Sequence, residues 1–311
     1  MLIGHKKQVE FLQNAILSNK IPQAFIFSGE ESLGKKKAAF EFVKMLFCEE
    51  TDIKMKPCQK CLACLMVEKA NHPDLAFVEP QEKEIQIGQI RQLQERLSLR
   101  PSLAKIKSVI INNAHCLNVQ AQNCFLKTLE EPQSQTVFIL VSSLLDVLLG
   151  TIKSRCELLK FYPLSEKEMQ ETAISEEILH YSQGKPGVAF LLSKNQNVFL
   201  EFQNSLKMAK EFLTKPLLSK FLFIKDFFSK TKENGDEQKE GGKRQEGCFF
   251  LLESMLWHLR KSLWQRAQGE VNIIALLKTK KAIELVEEAK VLLQTTNVNP
   301  RLLLENLILQ L

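Results

Sequence analysis

Gly29-Glu30-Glu31-Ser32-Leu33-Gly34-Lys35-Lys36 follows a short apolar run, Ala24-Phe25-Ile26-Phe27, and opens a segment of helical periodicity from Lys35 to Phe47. A buried strand, a glycine-bounded loop and a helix in that order form a phosphate cradle. The two glycines permit tight backbone geometry, the loop amides and the helix N-terminus attract phosphate, and Lys35 would reach the terminal phosphates. One position departs from the pattern. The residue after the lysine should be Ser or Thr, whose hydroxyl holds Mg²⁺, and a cation at Lys36 would repel that metal. A strand–helix turn that has never met a nucleotide is the plain alternative on this segment alone.

Outward from the loop, strands alternate with helices. A first helix carries Val9, Leu12, Ile16 and Leu17 and ends before Pro22. Leu75-Ala76-Phe77-Val78 reads as a second strand, Ile87 to Leu99 as a helix, and Val109-Ile110-Ile111 as a third strand. Asn118 can cap a helix that ends at Pro132, Val137 to Val141 is a fourth strand, and Glu157 to Phe161 a fifth. This alternation implies a mostly parallel α/β sheet up to about residue 163. The third strand ends in Asn112-Asn113, where a hydrolysing site needs an Asp to hold Mg²⁺.

After Pro163 the pattern becomes helical to the end. The expected domains are 1–163, 164–208 as a small helical domain turning at Gly184-Lys185-Pro186-Gly187, and 209–311 as a second helical domain. Within the last, 232–247 is polar and too poor in apolar side chains for a core, and is expected to be a flexible insertion. Of 311 residues, 45% are hydrophobic and 25% charged, a globular composition. The formal charge of +6 divides into +4 up to Pro163 and +2 beyond it, so neither half is strongly basic and charge alone makes no case for nucleic-acid binding. No apolar stretch is long enough to span a bilayer and no secretory signal is visible, so a cytoplasmic location is expected, with no membrane partner.

Eight cysteines in a reducing compartment are not expected to pair as disulfides. Cys48, Cys58, Cys61 and Cys64 have the spacing C-x9-C-x2-C-x2-C, and four thiolates suit a closed, structural tetrahedral zinc site in a module at about 48–64. Reduced cysteines in a surface loop are the alternative. Cys116, Cys124, Cys156 and Cys248 read as small buried apolar residues. His5, His72, His115, His180 and His258 show no nucleophile–base pattern and read as structural. Glu130-Glu131 place negative charge at a helix end that disfavours it, which marks either an interface or ordinary solvated carboxylates.

Leu126-Lys127-Thr128-Leu129-Glu130-Glu131-Pro132, preceded by Asn123, and Thr151-Ile152-Lys153-Ser154-Arg155-Cys156 resemble two motifs of bacterial clamp-loader subunits of the AAA+ class. His72-Pro73-Asp74-Leu75, the helix from Ile87 and the final Asn299-Pro300-Arg301-Leu302 segment sit in the same order and spacing as in that family. The altered phosphate loop and Asn112-Asn113, where the family's motors carry Asp-Glu and the Glu polarises the attacking water, look like its delta-prime branch in DNA polymerase III.

The resemblance implies a AAA+ P-loop-type domain with a parallel sheet, a small helical lid and an all-helical collar. It implies a subunit of the DNA polymerase III holoenzyme, a DNA-directed DNA polymerase, without ATP hydrolysis of its own. Gly29, Gly34 and Lys35 would be a degenerate nucleotide site, and ATP would be used only at the neighbouring subunit. The implied partners are the tau/gamma motor and delta subunits in a hetero-pentameric ring, the sliding clamp and primed DNA. The family often carries zinc at the cysteine cluster. Arg155 would be the arginine finger offered to the adjacent motor's ATP, whose planar fork a lysine lacks; an exposed arginine in a surface ion pair is the plain alternative. Two other functions remain open at this stage: a motor subunit that hydrolyses ATP, and a free-standing zinc-dependent nucleic-acid-binding protein.

Overall fold

The computed structural model describes residues 2–52, 55–81, 83–131, 135–172, 174–230, 237–268, 272–296 and 298–311, with backbone alone at 230, 237–246, 268 and 294–295. The chain divides into two compact units, Met1–Ser193 and Lys194–Leu311.

The first unit runs α1 (Lys6–Leu17), β1 (Ala24–Ser28), α2 (Lys35–Phe47), α3 (Leu62–Glu68), β2 (Leu75–Val78), α4 (Ile87–Ser98), β3 (Lys107–Ile111), α5 (Val119–Glu130), β4 (Thr136–Ser142), α6 (Gly150–Lys153), β5 (Glu157–Lys160), α7 (Glu166–Gln170), α8 (Glu176–Ser182) and α9 (Pro186–Lys194). Its five strands form one sheet in the order β2-β3-β4-β1-β5, every pairing parallel. The central strands read as unbroken apolar runs because both faces are covered. Along β1, Ala24 and Ile26 face a core with Ile90, Leu93 and Phe125, whereas Phe25 and Phe27 face another with Leu12, Phe42 and Val43. Along β4, Phe138 and Leu140 take the first face, and Val137, Ile139 and Val141 the second. The five expected strands are present with ends shifted by two residues at most. Helix α3 was not expected; it is a seven-residue helix begun by Cys61, too short to show a period.

Beyond β5, Leu164, Met169 and Ala189 build a small core among α7–α9. Ser165 starts α7 through a capping box with Glu168, satisfying two otherwise orphaned amides.

The second unit comprises α10 (Gln196–Thr214), α11 (Leu217–Lys230), α12 (Glu237–Gln268), α13 (Ile273–Thr295) and α14 (Pro300–Gln310). Its core includes Phe212, Ile224, Leu252, Met255, Val286 and Leu304. Asn299 caps α14 by accepting the Arg301 N–H, with Pro300 at the first helical position where its missing N–H costs nothing. The expected join at 208/209 falls inside α10, whose Ala209 and Phe212 are buried in this core. Of the expected insertion, 232–236 lies outside the described residues; from Glu237 the backbone is helical. Its Glu, Gln, Lys and Arg are straight-chain residues that lose little freedom in a helix. Among the described residues no helix is long and apolar enough to cross a membrane.

Candidate functional site

The loop between β1 and α2 is shaped by backbone that only glycine adopts cheaply. Gly29 has φ 151°, and a β-carbon there would lie 2.4 Å from the Phe161 carbonyl oxygen. Gly34 caps α2 in the left-handed region, φ 90°. Behind the loop, buried His5 donates from Nε2 to the Leu33 carbonyl at 2.8 Å. Its burial holds the imidazole pKa below the usual value, which favours the neutral ring.

Lys35 is buried, and its ammonium turns back onto its own loop, donating to the Gly29 carbonyl at 2.6 Å and to that of Glu30. The next residue, Lys36, lies 3.4 Å from Glu79 and 4.6 Å from the centre of the Phe77 ring. Asn112 and Asn113 follow β3, and Asn113 takes a left-handed conformation (φ 52°) at the start of a 3₁₀ turn, Ala114–Cys116. Gly34, Lys35, Lys36, Asn112 and Asn113 all line one cavity of about 880 Å³ in the first unit.

Ser143 and Phe190, which the sequence left unremarked, and Pro186-Gly187, read there only as part of a turn, complete this cavity. Ser143, just past β4, lies on its wall and sits 3.4 Å from both ring nitrogens of buried His115. From the other side, Pro186, Gly187 and Phe190 of α9 reach it. The Gly187 N–H donates to the Ser32 carbonyl at 2.8 Å, and Lys185 pairs with Glu30 at 2.8 Å. Lys185, in the expected turn, thus ties the start of α9 to the loop between β1 and α2.

Arg155 does not line the cavity. It stands exposed beyond α6, with Nη2 2.6 Å from Glu130 Oε1 and Nη1 donating to the Thr151 carbonyl at 3.1 Å. The surface ion pair weighed against the finger role is therefore present, and its partner is one of the two carboxylates that end α5 unfavourably.

The sulfurs of Cys48, Cys58, Cys61 and Cys64 all lie within 4.8 Å of one another. Four thiolates around one tetrahedral zinc stand roughly 3.8 Å apart, from a Zn–S bond of about 2.3 Å. The donor set and its closeness fit such an ion. Backbone amides already turn toward the sulfurs: Cys58 N–H to Cys48, Cys61 N–H to Cys58, and Cys64 N–H to Cys61, at 3.3–3.5 Å. The N–H groups of Lys60 and Cys61 lower the Cys58 thiol to about 6, whereas burial raises those of Cys48 and Cys64. Of the other four cysteines Cys248 alone is buried; Cys116, Cys124 and Cys156 are half-buried, Cys124 lies 3.7 Å from Gln94 Oε1, and burial raises Cys116 to about 11 and both Cys156 and Cys248 to about 12.

Buried Lys44 joins this cluster to α2. It pairs with Glu68 of α3 and with Glu41 at 3.1 Å, and donates to Gln59 in the cysteine loop at 3.0 Å. Gln59 in turn donates to Glu41 at 2.7 Å. Glu41 and Glu68, the carboxylates that pair with Lys44, also line the cavity.

A family model described as DNA polymerase III, delta subunit, matches residues 4–165. The chain belongs to this family. Subunit delta' of DNA polymerase III from Bacillus subtilis (strain 168) is 34% identical over 61% of this chain and 55% of its own length. Subunit delta' from Pseudomonas aeruginosa is 36% identical over 43% of this chain and 41% of its own. Subunit tau from Bacillus subtilis is 32% identical over 51% and 28%. The chain thus matches about half or less of the length of these relatives, and the delta-prime likeness read from the motifs is borne out. A gamma subunit-related protein from Thermotoga maritima superposes with a TM-score of 0.50 over 97% of both chains at 20% identity, which bears out the fold class.

Proposed function

We propose that this chain is a non-hydrolysing subunit of the DNA polymerase III clamp loader, one that supports ring assembly and offers Arg155 to the ATP of a neighbouring motor subunit. One observation carries the reading: Lys36, Asn112 and Asn113 line the same cavity as Lys35, so all three altered positions stand where one nucleotide's metal and water would be handled. Asn is neutral and a poor proton acceptor, and Lys36 adds a positive charge where Mg²⁺ would sit, so neither metal holding nor water activation is provided. The family membership and the delta' and tau relatives support a place in such an assembly. Its partners are the tau/gamma and delta subunits in a hetero-pentameric ring, the sliding clamp and, through the complex, primed DNA.

In this reading Cys48, Cys58, Cys61 and Cys64 hold a structural zinc. Four protein ligands close the coordination sphere, so the metal supplies rigidity and no reaction step. Arg155 supplies a fixed positive fork to charge on the transferring phosphoryl group of the neighbour, a contribution of about 10³–10⁵ in rate where such a finger is required.

Reconstitution with motor subunits, delta subunit, clamp and primed DNA tests the assignment. Arg155→Ala should assemble normally and lower DNA-stimulated ATP turnover. Unchanged turnover would remove the finger role. ATP turnover by the isolated chain, abolished by Lys35→Ala, would show a motor instead.

A further inference from the structure

We infer that Glu130 is a positioning residue that holds Arg155 on its own chain until the neighbour's triphosphate draws it away. The inference rests on the finger role given to Arg155 above and adds a restraint to it.

The local geometry leaves Arg155 a fixed root and a guided head. Its root is set by α6 and by the turn that follows: the Arg155 N–H donates to the Ile152 carbonyl at 3.1 Å, Ile152 is fully buried, and Cys156 packs against the same core. Its head is held by Glu130 Oε1 at 2.6 Å, the Thr151 carbonyl at 3.1 Å and Ser154 Oγ at 3.5 Å. Both partners of the ion pair stay open to solvent, Arg155 at 40% and Glu130 at 48% of side-chain exposure. A pair so exposed is held weakly and screened by salt, so a polyanion can compete for the guanidinium at little cost.

Glu130 also explains an oddity of α5. It is the last residue of that helix, followed by Glu131, where the macrodipole disfavours a carboxylate. Lys127 is the basic residue of that last turn, and the Arg155 guanidinium adds a second positive charge directly against Glu130. A carboxylate in this place costs the helix a little and binds the finger a little, which suits a catch better than a strut.

A catch predicts a direction. With Glu130 in place, most chains keep Arg155 self-bound, and DNA-driven ring closure shifts it toward the neighbour's phosphates. Without the carboxylate, the guanidinium samples the outward position more often before DNA arrives. Glu130→Gln should therefore raise ATP turnover of the reconstituted complex in the absence of DNA roughly two- to fivefold, the shift that loss of an exposed ion pair allows. The DNA-stimulated rate should change less, so the stimulation ratio falls, and the change should lie in kcat rather than KM. Added salt should raise the DNA-free rate of the wild-type complex toward that of the variant. Glu131→Gln, which removes the adjacent carboxylate, should leave both rates unchanged.

The outcomes separate the two claims. If Arg155→Ala leaves turnover unchanged, the finger role itself fails. If Arg155→Ala lowers turnover while Glu130→Gln leaves the DNA-free rate and the ratio unaltered, the finger stands and the catch is overturned. If Glu130→Gln lowers both rates as Arg155→Ala does, Glu130 supports the active position and the catch is likewise overturned. Melting temperature and ring assembly of Glu130→Gln, expected to match wild type, show that the variant is folded; if they fall, Glu130→Asp, which keeps the charge on a shorter arm, should restore folding and give an intermediate DNA-free rate, and a wild-type DNA-free rate there would overturn the catch.

Discussion

Asp74 shows how one carboxylate can set the course of a loop. It is buried at the start of β2 and accepts N–H bonds from Ser102, Leu103 and Ala104, each at 2.7 Å, which anchors the segment between α4 and β3. Burial pushes its pKa up, but the three amides more than offset that and leave it below the usual carboxylate value. The folded state therefore holds the ionised form more tightly than the unfolded chain does. That stability is present above the unfolded value, near pH 4, and is lost as pH falls through the lower folded value. Asp74→Asn should cost about 2 kcal/mol at neutral pH by chemical denaturation, and the gap to wild type should close as pH drops below about 4. His72 beside it accepts the Asp74 N–H at 3.2 Å through Nδ1, and burial holds the ring's pKa down. The His72-Pro73-Asp74 motif is thus accounted for as architecture.

At the scale of elements, the cysteine module is tied to the sheet by Lys44, which gathers α2, α3 and the loop carrying Gln59. Burial lowers the pKa of its ammonium, and the Glu68 and Glu41 carboxylates reverse that to a net rise, so the group stays charged through the physiological range. Lys44→Met should lower stability by about 2 kcal/mol and weaken zinc retention against a chelator, while Cys61→Ser should release the metal outright; an assay of bound zinc, about one per chain in the wild type by the four-ligand reading, reads both. Much of this element-level order was legible in the sequence. The strands showed themselves because burial on both faces leaves Phe25-Ile26-Phe27 and Val137 to Val141 without polar interruption. The cysteine cluster showed itself because Cys58, Cys61 and Cys64 repeat at one short spacing, the arrangement that suits a metal. Helix α3 did not, being two turns long. Neither did Lys185–Glu30 nor Arg155–Glu130, because a charged residue carries no local mark of a partner far along the chain. Glu130 gave the one hint, a carboxylate on the wrong end of its helix.

The molecule as a whole is built from two units, each with its own core. The second has no strand among its described residues and is held by side chains such as Leu304, which is fully buried. Leu304→Ala should cost about 2–5 kcal/mol in that unit. Hydrogen exchange should rise across α10–α14 while β1, β3 and β4 keep their protection; loss of protection in both units together would mean that they unfold as one. In the first unit, the partners of β1 lie more than a hundred residues downstream, Ala24 opposite Phe138 and Phe25 opposite Glu157. This has a consequence for biosynthesis. On a ribosome adding about 5–20 residues per second, β1 emerges many seconds before the strands that will flank it. The cysteine module, closed within a short stretch, is complete well before then. The nascent chain thus completes its cysteine module first; Leu12, Phe42 and Val43 can already cover Phe25 and Phe27, but both backbone edges of β1 stay unpaired until β4 arrives, which makes that interval the point at which a chaperone has most to offer.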